Sequence, residues 1–131
     1  MRAFVLATAL VTATTAASAA DVNITCTETG GQVFIGTNMF PPHLSGPWNF
    51  TITQQGLKTP WGGNCGLMTG EVTGDRVSVT CAGNVGGGAF KKTVVIDRQL
   101  GTYREDLDLG DSSAGHSQSF ASGTCQKRET F

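Results

Sequence analysis

Short runs in which apolar and polar residues alternate, broken every few positions by glycine, leave this chain little besides β structure to fold into. Trp48, Phe50 and Ile52 alternate with Asn49, Thr51 and Thr53, and Val22, Ile24 and Cys26 alternate with Asn23 and Thr25. A period of two sends successive side chains to opposite faces, so each run reads as a strand with one face turned to a core. Beyond residue 20 no window carries apolar residues at i, i+3, i+4 and i+7, the signature of an amphipathic helix. The 18 glycines disfavour helix interiors and supply turns instead.

Taken in order, the runs are 22–26 and 32–36, separated by the bend Thr29-Gly30-Gly31, then 48–53, 67–72 and 77–81. Strands over 90–97, 102–109 and 118–125 follow. Gly74-Asp75 between two alternating runs is a hairpin signal, and Gly86-Gly87-Gly88 marks the next reversal. Longer connections fall at 37–47 and 55–64. About eight short antiparallel strands with tight turns predict an all-β domain, either a small up-and-down barrel or a sandwich.

The chain opens MRAFVLATALVTATTAASAA, with one early charge at Arg2, an apolar run and a small-residue tail. This is the layout of a secretory signal peptide over residues 1–20, cut after Ala19 or Ala20, leaving a single β domain over 21–131. The apolar run is shorter than the roughly 20 residues that span a membrane. The expected location is therefore periplasmic or extracellular. Without Arg2, eight basic side chains face ten acidic ones, a formal charge of -2. A nucleic-acid binder would show a basic patch or stripe instead, so no nucleic-acid partner is expected.

Cys26, Cys65, Cys81 and Cys125 are an even set in a short exported chain, which reads as two disulfides. No C-x-x-C occurs, which argues against zinc and redox motifs. Three connectivities are open. If the strands form a meander closed into a barrel, Cys65 and Cys81 flank one hairpin and Cys26 and Cys125 lie on the strands that meet at closure. The favoured pairing is then Cys65 with Cys81 and Cys26 with Cys125, each bond stabilising by about 2–4 kcal/mol.

The densest charge cluster is VVIDRQLGTYREDLDL, residues 94–109. Asp97-Arg98-Gln99-Leu100-Gly101 supplies a turn, and Arg104, Asp106 and Asp108 share the face opposite Tyr103 and Leu107, as on a solvated strand. Glu105 breaks the pattern because it falls in phase with Tyr103 and Leu107. If it points inward it needs a partner, and an inward Glu105 beside an inward Arg or Lys would be a pocket group at a barrel mouth. Asp106, Asp108 and Asp111 miss the EF-hand spacing, and neither a metal nor a cofactor is expected.

No G-x-S-x-G occurs, and the two histidines, His43 and His116, fall in or beside loops. His116 with Asp111 as its orienter, or a buried Glu105, could serve as general base, and either makes a small hydrolytic enzyme an alternative reading. The stronger functional signal is aromatic. NMFPPHLSGPW, residues 38–48, sets Met39, Phe40 and Leu44 around Pro41-Pro42, and proline lowers the entropy cost of presenting a recognition loop. Trp61, in TPWGGN, lacks strand neighbours that would bury it. Met39, Phe40, His43 and Trp61 are the candidate binding residues, because Trp, Met and Phe commonly anchor protein interfaces. A non-enzymatic module that binds a protein or envelope component is the leading reading. Its bland counterpart has Phe40 and Trp61 folded back to plug one end of the barrel.

VVIDRQLGTY followed by the closing GTCQKRETF resembles a loose group of small exported proteobacterial β proteins over about the last third of the chain. The likeness implies location and a β fold rather than an activity. Gly46-Pro47-Trp48 is similar to an early strand of the periplasmic metallopeptidase inhibitors, which are eight-stranded barrels. That resemblance implies an inhibitor of a peptidase or other hydrolase. The chain departs from those inhibitors in its four cysteines and in having about five residues before Cys26, where they carry a longer N-terminal trunk.

Overall fold

The computed structural model describes residues 20–85, 88–112 and 115–128. The expected leader through residue 19, Gly86-Gly87, Ser113-Ala114 and the last three residues lie outside the described part. Nine antiparallel strands are described: β1 (Val22–Ile35), β2 (Asn38–Phe40), β3 (Trp48–Ile52), β4 (Leu57–Lys58), β5 (Leu67–Val72), β6 (Arg76–Val85), β7 (Gly88–Asp97), β8 (Thr102–Ser112) and β9 (Gly115–Lys127). A short 3₁₀ turn spans Gly63–Cys65. Pairing runs β1-β3-β4-β5-β6-β7-β8-β9 and returns from β9 to β1, so eight strands close a barrel.

The ninth strand, β2, pairs with the same edge of β1 as β3 does, through Val33–Phe40 and Ile35–Asn38. β2 and β3 together act as one barrel strand interrupted by residues 41–47. The Gly30-Gly31 stretch, expected as a bend between two strands, lies inside a single 14-residue β1. The register shifts there between Glu28 and Gly30, a bulge that leaves Thr29 unpaired and coils the strand without ending it.

The wall is uneven. β1 and β6 to β9 run 10 to 14 residues, whereas β3, β4 and β5 have 5, 2 and 6. Where all eight strands are present, the alternating inward residues fill the interior. Phe50, Leu57, Met68, Val77, Val79, Val94, Ile96 and Tyr103 are buried, with Ile24 and Ile52 beside them. Phe50 and Tyr103 stack with ring centroids 5.9 Å apart. Each fully buried large apolar side chain stabilises by about 1.5–3 kcal/mol. On the outer face Asn23 and Asn49 accept from the cross-strand hydroxyls of Thr51 and Thr25, at 2.8 Å in both cases.

Both disulfides form, in one of the three connectivities the cysteines allow. Cys26–Cys125 crosses the β1–β9 seam where the two residues are register partners. Cys65–Cys81 ties the 3₁₀ turn to β6 beyond the end of its pairing with β5. Two disulfides place the protein in an oxidising, extracytoplasmic compartment. No helix among the described residues is long and apolar enough to cross a membrane.

Candidate binding site at the barrel mouth

Past the short strands β3 to β5, the long strands continue as an open wall. The gap is faced by two irregular segments, residues 41–47 and the stretch around the 3₁₀ turn. Between them opens a chamber of about 340 Å³, whose lining includes Glu28, His43, Trp48, Trp61, Lys92 and Glu105. Every strand-borne member of that set is delivered by period two. Glu28 continues the inward phase of Ile24 and Cys26, Trp48 that of Phe50, Lys92 that of Val94 and Ile96, and Glu105 that of Tyr103.

Glu105 points inward and has the cationic partner that an inward carboxylate requires. Lys92 Nζ lies 3.1 Å from its Oε1, and the two side chains retain only 16% and 14% of their exposure. The Tyr103 hydroxyl donates to Glu105 Oε2 at 2.5 Å. Burial pushes the Tyr103 phenol far above its ordinary range, reinforced by the charge of Glu105, the hydrogen bond to it, and the charge of Glu28. A phenolate there would be desolvated beside two carboxylates, so the hydroxyl stays a donor.

Trp61 is only partly buried, yet its ring packs on the core. It meets Trp48 edge-on at 5.5 Å and Phe50 edge-on at 5.3 Å between centroids. Lys92 Nζ lies 3.7 Å from the centre of the Trp61 ring, a cation–π contact that shares the ammonium between indole and carboxylate. Glu28 is the hinge pin of the opposite rim. Its carboxylate accepts from the Ser45 backbone N–H and from Trp48 Nε1–H, the latter at 3.3 Å. Those bonds tie residues 41–47 to β1 across the strand interruption.

The four residues singled out in the sequence are divided by this geometry. His43 and Trp61 line the chamber. Phe40 pairs with Val33, another lining residue, and so lies on the chamber side of β2 at 45% exposure. Met39 alternates to the outer face, where it is 63% exposed, pairs with Phe34 and accepts from Gln32 Nε2 at 3.4 Å. Leu44, 45% exposed, adds an apolar residue to the 41–47 segment. Lys92 and Glu28 were not singled out, although their phase with buried neighbours was readable.

His116 and Asp111 do meet, on the outside of the β8–β9 hairpin. His116 Nδ1 lies 2.9 Å from Asp111 Oδ1 and Nε2 lies 3.1 Å from Asp108 Oδ1. The hydrogen bond to Asp111 leads in raising the His116 pKa, with Asp108 adding to it, while the Gly110 backbone N–H leads in lowering that of Asp108. Two carboxylates on the two ring nitrogens favour imidazolium, the form unable to accept a proton. No group of three His, Cys, Asp or Glu residues able to hold a metal occurs among the described residues.

No family model, curated protein or solved structure matches the chain.

Proposed function

We propose that this chain is an exported, non-enzymatic binding module of the periplasmic or extracellular space that takes a protein or envelope partner at the mouth of its barrel. The observation that carries this reading is the apolar rim, Phe40 and Leu44 standing about half exposed beside the chamber. Large inward side chains fill the other half of the barrel, whereas the open end combines a chamber with exposed apolar residues, the arrangement suited to recognition. Segment 41–47 is held in place by Glu28, and its prolines reduce the entropy lost on docking. The double engagement of His116 favours an ion cluster over a general base, which weighs against the hydrolase alternative.

The test is capture from a cell-envelope extract on the immobilised, disulfide-intact protein. Phe40→Ala and Leu44→Ala should each weaken capture of a partner about tenfold, the loss expected for an interface anchor. Leu100→Ala, at an exposed residue of the β7–β8 turn at the other end of the barrel, should leave it unchanged. Capture indifferent to both rim variants would sink the reading. Saturable inhibition of one member of a protease and lysozyme panel, lost in the rim variants, would identify the partner as a hydrolase and the protein as its inhibitor.

A further inference from the structure

We infer that the chamber is a receptor for the cationic side chain of a lysine or arginine on the partner, with Glu28 as counter-charge and the Trp48 and Trp61 indoles as walls. The inference rests on the partner-binding reading above and names what the mouth would grip.

Charge balance points to a cation. The acidic and basic side chains that line the chamber are Glu28, Glu105, Lys92 and His43. Lys92 is committed to Glu105. Glu28 is partly buried and accepts only from neutral donors, the Ser45 N–H and the Trp48 indole; no cation pairs with it among the described residues. A partly desolvated carboxylate without a counter-ion favours a positive guest, because each electrostatic contact is stronger where water is scarce. An anionic guest would instead meet two carboxylates, with the only ammonium already shared.

The chamber also displays the chemistry it accepts. Lys92 places its ammonium against an indole face and a carboxylate at once, the combination by which aromatic sites hold cations. Trp48 stands edge-on to that indole, and its own N–H fixes Glu28. A volume of about 340 Å³ is at the small end for ligand pockets and suits one long side chain. The alkyl stem of lysine or arginine would cover the apolar wall while the head reached Glu28.

The experiment is an NMR titration of the full-length mature protein, following the indole N–H signals of its two tryptophans. The probes are lysine and arginine capped at both ends as neutral amides, with capped norleucine and capped glutamate as controls. Lysine and arginine should give saturable shifts with Kd on the order of 1 mM, weakening as salt is added. Glu28→Gln removes the charge and keeps one acceptor oxygen, enough for the Ser45 N–H while the longer Trp48 bond is lost, and should weaken binding about tenfold or more. Lys92→Met removes the competing ammonium from Trp61 and Glu105, leaving both carboxylates to a cationic guest, and should tighten binding. Asp111→Asn, on the outer hairpin, should change nothing.

The absence of saturable shifts, equal binding of capped glutamate, or unchanged binding in a folded Glu28→Gln protein would each overturn the inference. If Lys92→Met does not fold, Glu28→Gln and the salt dependence decide. Partner capture that falls with Phe40→Ala but survives Glu28→Gln would overturn the cation receptor and keep the partner-binding reading. Glu28-dependent lysine binding in a protein that captures nothing would overturn that reading, and with it the partner as source of the side chain.

Discussion

Tyr103 is the one tyrosine of the chain and the point at which core and mouth meet. Its ring stacks on Phe50 in the filled half, while its hydroxyl holds Glu105 in the open half. A phenol whose pKa is raised by folding contributes stability that is fully present below its unfolded value of about 10 and is lost as pH rises through the folded value. The folded value lies far higher, so alkaline titration followed by tyrosinate absorbance should show ionisation only as the barrel unfolds. Tyrosinate appearing near pH 10 with tryptophan fluorescence still native would contradict this placement. The inward direction of Glu105 was legible from its phase with Tyr103 and Leu107. The same rule separates inward Lys92 from outward Lys91, since Lys92 is in phase with Val94 and Ile96; that Lys92 meets Glu105 was not legible, because it depends on the β7–β8 register.

Elements with large inward side chains were readable, and those with small ones were blurred. β3 shows its period plainly, whereas the inward side of β9 reads Ser119, Ala121, Gly123, Cys125, too small to stand out. The reason is tertiary: β9 closes against β1, and a Cβ on Gly123 would lie 1.8 Å from the Thr27 carbonyl oxygen. Gly123→Ala should therefore lower stability by about 2 kcal/mol or more, through the backbone shift it forces. Gly74→Ala, with nothing within 4 Å of the added methyl, should stay within about 0.5 kcal/mol. Urea midpoints at constant m-value would measure both, and equal effects would show that the seam is looser than described. Gly31 was read as part of a bend for a related reason. It permits close passage of the Phe120 backbone within a continuous strand, and local sequence does not distinguish that need from a turn.

For the molecule as a whole, the two disulfides act on loops of very different length. Cys26–Cys125 spans 99 residues and locks the closing seam, while Cys65–Cys81 spans 16. By loop-closure entropy the first stabilises by about 4–5 kcal/mol and the second by about 3 kcal/mol. The paired variant C26A/C125A should consequently lose more stability than C65A/C81A in chemical denaturation. The reverse order would mean that holding the 3₁₀ turn against β6 outweighs closure. Closure also settles the choice between barrel and sandwich, since a β1–β9 ladder leaves the sheet without a free edge over that stretch.

By itself, the sequence determined that the chain is all-β, because period two and glycine spacing act residue by residue and need no partner to be read. It also determined which face of most strands turns inward, and that an even set of cysteines would be oxidised. Only the tertiary structure decided that the strands close, that β1 runs unbroken through its glycines, and that the short β3 to β5 leave one end open. It alone brought Glu28, Trp48, Trp61, Lys92 and Glu105 together, from five separate segments. Their meeting depends on strand length and register around the whole barrel, quantities that no local pattern encodes.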